Sequence, residues 1–232
     1  QAMAMLGLNV SFLTRLGDDA HGSTARKQFA NFSMRVYAPE AHGSTMSATV
    51  VVATETQQRT ILMHRDRAVV DTDPKATLES LSVDDYDFVY TDGHQLDLVL
   101  PLVRAAVQRG LPVVADVEVI DDDARELARL ATHLIAPRWV ISTFACEHHA
   151  GVCGPLEEML PALVDGSNRT VIATSSERGS LGASHGTGAV HFPAMAVNVK
   201  DTTGAGDAYH AGYVLALSRG LRLQDAMGLA TR

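Results

Sequence analysis

Residues 112–116, PVVAD, point apolar side chains toward both faces of a short extended run before ending on the carboxylate of Asp116. Residues 170–174, TVIAT, repeat the pattern. A strand with one face in water alternates apolar and polar residues. A strand apolar on both faces belongs in the middle of a sheet covered on each side. Strand and helix patterns alternate outward from these two runs. YDFVYTDG (86–93) reads as a strand, QLDLVLPLVRAAVQRG (95–110) as a helix closed by Gly110, and DDDARELARLA (121–131) as a helix with an acidic first turn. THLIAP (132–137) is again a strand, GSLGAS (179–184) and GAVHFPA (188–194) pair as a hairpin, and DAYHAGYVLALSRG (207–220) is the last clear helix. Toward the start, NVSFLTRL (9–16), MSATVVVAT (46–54) and RTILMHR (59–65) read as strands, with polar ETQQ (55–58) as a turn and DDAHGSTARKQFANFS (18–33) as a helix. The alternation predicts an α/β, doubly wound sheet, in which ligands bind beyond the carboxyl ends of the strands. No repeat, linker or composition shift divides the chain, so 1–232 is read as one domain.

Composition narrows the function classes. The 232 residues are 46% hydrophobic and 20% charged, with a net charge of −8 and scattered basic residues. That balance argues against a nucleic-acid partner and against a polybasic membrane patch. No apolar run approaches the roughly 18 residues that span a bilayer, and no signal-peptide pattern opens the chain. Cys146 and Cys153 make no disulfide framework in so long a chain, so separate thiols in a reducing cytoplasm are expected. The chain starts at Gln1 in helix-like sequence and stops at Arg232 inside another such run, so native sequence is expected beyond both ends.

The chemistry concentrates in DTTGAGDAYHAGYVL, residues 201–215. A helix N-terminus presents unpaired amides and the positive end of its dipole, an anion site in waiting. The small residues Gly204, Ala205 and Gly206 let a phosphate approach those amides, and Asp207 follows them in the first helical turn. An anion cradle and a proton acceptor within one turn are what phosphoryl transfer to a hydroxyl requires. For GAGD alone, a glycine turn with a capping carboxylate is an equally good reading.

The full stretch resembles the signature of the ribokinase/PfkB sugar kinase family, matching it at every position from Asp201 to Val214. The likeness continues in GLNVSFLTRLGDDAHG (7–22), with Gly17, Asp19 and Gly22 as the family's G-x-D-x-x-G, and in RGLPVVADVE (109–118). VIATSSERGSLG (171–182) is similar to the family's T-x-G-x-x-G turn, and FPAMAVNVKDTTGAGD (192–207) follows in the family's order. The resemblance implies a ribokinase-like three-layer fold with a small β lid, which closes over the sugar and pairs two subunits as a homodimer. Sequence near residues 35–49 is the candidate for lid strands. The resemblance further implies transfer of the γ-phosphoryl group of ATP to a carbohydrate hydroxyl, with Asp207 as catalytic base and the amides of Gly204, Ala205 and Gly206 as the anion hole. Thr174, Ser176 and Gly179 fall on the nucleotide phosphates. Asp201 and Thr203 fall near a monovalent cation, K⁺, and Mg²⁺ accompanies the nucleotide. The pattern is most similar to the ketohexokinase and sulfofructose-kinase side of the family. A nucleoside or sugar-phosphate kinase, or a kinase-like binding protein without turnover, remains the alternative.

Two departures bear on those expectations. Ser176 stands where the family has the middle glycine of T-x-G-x-x-G, and PRWVISTFACEHH (137–149) lacks the N-x-x-E whose Glu organises Mg²⁺ water. Glu147 is the nearest carboxylate to that motif. Gly93, His94 and Gln95, after the 86–93 strand, are candidates to reach substrate hydroxyls, or form an ordinary turn. Arg59, His64 and Arg65 are read first as a solvated strand face and second as contacts to a polar substrate group. GDDAHGST (17–24) spaces its glycines like a P-loop but lacks the lysine, so it is read as a turn and helix start. The histidines and cysteines of CEHHAGVC (146–153) match no zinc spacing, GASHGTGA (182–189) is read as a hairpin, and Trp139 as a packing residue.

Overall fold

The computed structural model describes residues 1–52, 59–164, 169–199 and 202–232, with the side chains of Val52 and Arg59 also outside the description. The chain divides into two compact units, Met3–Ser82 and Val83–Arg232.

The first unit holds α1 (Ala2–Met5), β1 (Ser11–Leu13), α2 (Ala20–Asn31), β2 (Arg35–Tyr37), β3 (Ser47–Val52), β4 (Arg59–His64), α3 (Arg67–Val70) and α4 (Lys75–Glu79). Arg35–Tyr37 pairs in parallel with β1, so it does not join the antiparallel β3–β4 ribbon, whose register runs from Ser47↔His64 to Val52↔Arg59. That ribbon starts within the stretch expected to supply lid strands and continues past it; the ETQQ turn lies outside the described residues. The glycine spacing around Asp19 is a helix start, as read. The Asp19 carboxylate caps α2 by accepting from the Gly22 amide at 2.8 Å, and it accepts a second bond from the Thr45 hydroxyl at 2.7 Å. His64 and Arg65 are exposed, in keeping with a solvated face.

The second unit holds β5 (Val89–Thr91), α5 (Leu96–Gln108), β6 (Val113–Asp116), α6 (Asp122–Leu130), β7 (His133–Pro137), α7 (Arg138–His148) and α8 (Leu156–Met159). It continues with β8 (Thr170–Thr174), β9 (Ser180–Ser184), β10 (Val190–Phe192), α9 (Ala205–Ser218) and α10 (Leu223–Ala230). Six strands form one sheet in the order β10-β9-β8-β7-β6-β5; β5 to β8 run parallel, and β9 and β10 turn back antiparallel as the expected hairpin. The two-faced strands do what their pattern predicted. Val113, Ala115, Val171 and Ala173 join the core beneath α5, α6 and α7, which also takes in Leu127, Val140 and Ile141. Val114, Ile135 and Ile172 alternate with them onto the opposite face and are fully buried, as are Tyr213 of α9 and Met227 of α10. The result is the three-layer, doubly wound arrangement. Among the described residues no helix is long and apolar enough to cross a membrane.

Two side-chain expectations are corrected. Trp139 is 56% exposed, because the buried stripe of α7 is Val140, Ile141 and Ala145 and the indole lies off it. Cys146 and Cys153 are joined as a disulfide. The chain reverses after α7 through Ala150 and Gly151, both at positive φ, and brings the two Cα atoms to 4.8 Å, a juxtaposition that spacing along the sequence does not reveal.

α9 is moored to the sheet by polar contacts on its inner face. The Tyr213 hydroxyl lies 3.0 Å from His133 Nδ1 on β7, and the Tyr209 hydroxyl donates to Ser180 Oγ on β9 at 3.0 Å. Burial lowers the His133 pKa from 6.5 to about 4. A histidine neutral in the fold but free to protonate when unfolded stabilises the protein above its unfolded pKa, and that stability drains away as pH falls from 6.5 toward 4. The loss over that window is up to about 3 kcal/mol. Thermal melts from pH 7 to pH 4 are expected to fall more steeply for the wild type than for His133→Asn.

Candidate active site

The expected anion cradle begins at Gly204, the N-cap of α9, with φ 78° and ψ 4°. A Cβ there would be forced into the left-handed region, so glycine is the natural residue for the turn. No side chain caps the helix. The Asp207 carboxylate folds back over the turn, its Oδ2 3.8 Å from where a Cβ on Gly204 would stand. Asp207 is exposed, as are Gly204, Ala205 and Gly206. The Ala205 amide donates to the Thr202 carbonyl at 3.2 Å, so this member of the expected hole is engaged by the chain itself. The Gly206 amide has no backbone partner among the described residues, and a Cβ on Gly206 would meet nothing within 4 Å. The turn therefore offers an open amide face with a carboxylate beside it. Asp201 lies outside the described residues; Thr203 lies in the turn leading into α9.

Asp207 sits one helical turn above His210, and His210 faces the ends of β5 and β6. His210 Nδ1 is 3.6 Å from Asp116 Oδ2, with side chains only 6% and 11% exposed. The Tyr90 ring stands 5.9 Å from the imidazole. Burial, then the charges of Glu118, Asp207 and Asp92, push the Asp116 carboxyl up to about 8. Burial lowers His210, opposed by the Gly206 carbonyl and the Asp207 charge. Both members thus favour their neutral forms.

Gly93 packs its α-carbon against β6: a Cβ there would stand 2.5 Å from the Asp116 carbonyl, so this glycine serves close approach. The exposed His94 takes its backbone amide to Asp92 Oδ1 at 3.1 Å, and Gln95, with φ 50°, is the N-cap of α5. All three sit at the carboxyl end of β5, on the ligand side of the sheet.

On the other side of the same edge, the Ser175 amide donates to the Gly179 carbonyl at 2.8 Å and closes the turn after β8. Ser176, at φ 48°, takes the left-handed conformation that the family's glycine would adopt freely. The Thr174 hydroxyl reaches the Ala136 carbonyl at 3.4 Å. A cavity of about 160 Å³ opens here, lined by Ser175, Arg138, Glu157, Arg178, Ser180, Leu181 and His191. The turn read from Thr174 to Gly179 takes in Ser175 and Arg178 of this lining, but the sequence does not mark Arg138, Glu157, Ser180, Leu181 or His191. The Ser175 hydroxyl is buried in the described structure without a partner, and Arg138 Nη2 donates to Glu157 Oε1 at 2.7 Å. Arg138, the first residue of α7, and Glu157 thus place a guanidinium and a carboxylate near where N-x-x-E was expected. Glu147 is out of reach of that role: it lies in the last turn of α7 and accepts from Arg125 Nη2 at 2.9 Å. Among the described residues no three His, Cys, Asp or Glu side chains converge to hold a metal ion.

A model of the pfkB family carbohydrate kinases matches residues 1–232, the whole chain. The chain belongs to this family. Among curated relatives, the bifunctional protein HldE of Pseudomonas aeruginosa (strain UCBPP-PA14) is 32% identical over 155 residues, 67% of this chain and 31% of that protein. The chain spans about a third of the length of the first HldE proteins it matches. Among solved structures, Anopheles gambiae adenosine kinase in complex with a di(adenosine) tetraphosphate superposes with a TM-score of 0.83 at 19% identity, covering 99% of this chain and 74% of that one. An E. coli ribokinase II in complex with ATP and Mg²⁺ gives a TM-score of 0.79 at 15% identity, covering 99% and 77%. At such identities these structures establish the ribokinase-like fold of the PfkB member and nothing narrower.

Proposed function

We propose that this PfkB chain is, or belongs to, an ATP-dependent sugar kinase that transfers the γ-phosphoryl group to a carbohydrate hydroxyl. The observation that carries the reading is the Asp207 carboxylate poised over the uncapped glycine turn of α9, beside the open Gly206 amide. In this reading the terminal phosphate of ATP rests at that turn, where helix-end amides offset charge on the transferred group. Gly204 supplies the turn. Ala205 joins the hole when its amide releases the Thr202 carbonyl. The sugar hydroxyl approaches Asp207, which accepts its proton as the new O–P bond forms and the bond to the β-phosphate oxygen breaks. Thr174, Ser176 and Gly179 lie along the phosphates, and the Ser175 cavity extends the same region. The family's use of ATP and Mg²⁺ supports a nucleotide that brings its own metal. Thr203, with Asp201, is the place for K⁺.

Gly93, His94 and Gln95 are the sugar-side contacts in this reading. The exposed Val50, Val51, Ile61, Leu62 and Met63 of the β3–β4 ribbon support pairing of two copies through it. Family membership supports a cytoplasmic setting, the thiol argument for it having gone with the Cys146–Cys153 disulfide, and neither nucleic acid nor a membrane is a partner in this reading. The test is ADP release by the full-length protein across ketoses, aldoses, sulfosugars, sugar phosphates and nucleosides. Turnover is expected with a sugar. Turnover only with a nucleoside or a sugar phosphate moves the acceptor class, and nucleotide binding without turnover on any acceptor overturns the kinase reading in favour of a binding protein.

A further inference from the structure

We propose that Asp116 and His210 are a positioning pair for the Gly204–Asp207 site: they share one proton beneath the head of α9 and so keep the ground behind Asp207 electrically neutral. The proposal rests on the transfer reading given above.

Asp116 closes β6, His210 stands on the second turn of α9, facing inward, and Nδ1 and Oδ2 are 3.6 Å apart with both side chains buried. Neither imidazole nitrogen makes a hydrogen bond of good geometry in the described structure, although the Gly206 carbonyl lies near enough to favour the protonated ring. A buried imidazole and a buried carboxyl within 4 Å of each other hold one proton between them because a lone charge on either would be costly so far from water. Two strand ends meet at this pair. Gly93, following β5, presses on the Asp116 carbonyl, and the Tyr90 ring of β5 lies against His210. The pair therefore links the proposed sugar loop to the helix bearing Asp207.

The charges that face the pair give its proton a function. From β5 and its loop come Tyr90 and Asp92, from β6 and its extension Glu118, and from α9 Asp207 and Tyr209. The charges acting on Asp116 are all acidic. With one proton shared, Asp116 and His210 carry no net charge, whichever of them holds it. When that proton leaves, a full negative charge appears beneath the Gly204–Gly206 turn, where it opposes a phosphate and disturbs Asp207. Because burial and the surrounding carboxylates bring Asp116 up to about 8, the loss falls just above neutral pH.

The experiment is a set of pH–rate profiles from pH 6 to 9.5 for wild type, Asp116→Asn, His210→Ala and His210→Asn, with thermal melts of each. Carboxyl-¹³C aspartate NMR of wild type and Asp116→Asn accompanies them. The wild type is expected to show a fall in kcat/KM for ATP with a midpoint near 8. Asp116→Asn, normalised to its own value at pH 7, should lose that limb, since the amide cannot ionise. A carboxyl titrating near 8 should vanish in the same variant. His210→Ala should lower kcat about tenfold or more and His210→Asn restore part of it, as expected for a lost positioning contact. An alkaline limb unchanged in Asp116→Asn, or an Asp116 carboxyl titrating in the ordinary range, overturns the pair. A wild type that turns over no acceptor at any pH instead overturns the transfer reading. The NMR titration still decides whether the proton is shared.

Discussion

Asp207→Asn is expected to cut phosphoryl transfer by about 10²- to 10⁴-fold, the usual worth of a positioned general base. The thermal midpoint should hardly move. Asp207 is exposed, and its carboxylate folds over the turn without supporting it, since no side chain caps α9. ATP should bind at least as tightly as to the wild type, because one negative charge beside the phosphates has gone while the Gly206 amide stays in place. ADP release, a melt and nucleotide titration on the same preparation separate the three quantities. Loss of rate together with loss of fold would make Asp207 a structural cap. Near-normal turnover would remove it from the chemistry.

The parts of this fold legible in the sequence are those whose cause is local. PVVAD and TVIAT announce central strands because burial on two faces dictates composition residue by residue, and both became neighbours of β7 in the parallel run. The glycine turn before Asp207 is readable for the same reason: left-handed backbone and open amides are requirements on adjacent residues. What escaped is long-range. Asp116 closes one strand and His210 lies in the second turn of one helix; nothing in either neighbourhood announces the other, and only docking of α9 by Tyr209 and Tyr213 brings them together. Arg138 and Glu157 meet because α8 folds back beside the start of α7, so a search for N-x-x-E along the chain found no carboxylate in register. Cys146 and Cys153 show the converse error: proximity in sequence was visible, but the reversal that pairs them depends on positive φ at Ala150, a residue type that carries no such signal.

Two glycines in the proposed nucleotide region are expected to respond to the same substitution in opposite ways. Gly179 has φ 82° and ψ −134°, and an added Cβ would stand 2.1 Å from the Phe192 carbonyl oxygen and 2.6 Å from the Ala194 amide. Those atoms are backbone and cannot step aside cheaply, so Gly179→Ala should destabilise the protein by about 3–5 kcal/mol, combining backbone strain with a hard overlap. Gly206 lies inside α9 with open space around the same position, so Gly206→Ala should leave stability unchanged or raise it by about 0.5–1 kcal/mol through helix propensity. The new methyl would nonetheless occupy the approach to the amides where the proposed phosphate rests, and kcat/KM for ATP should fall about 10- to 100-fold with the fold intact. Urea denaturation and ADP release measured on both variants test the contrast. A Gly206→Ala protein that is stable and fully active would show that no phosphate comes close to this turn.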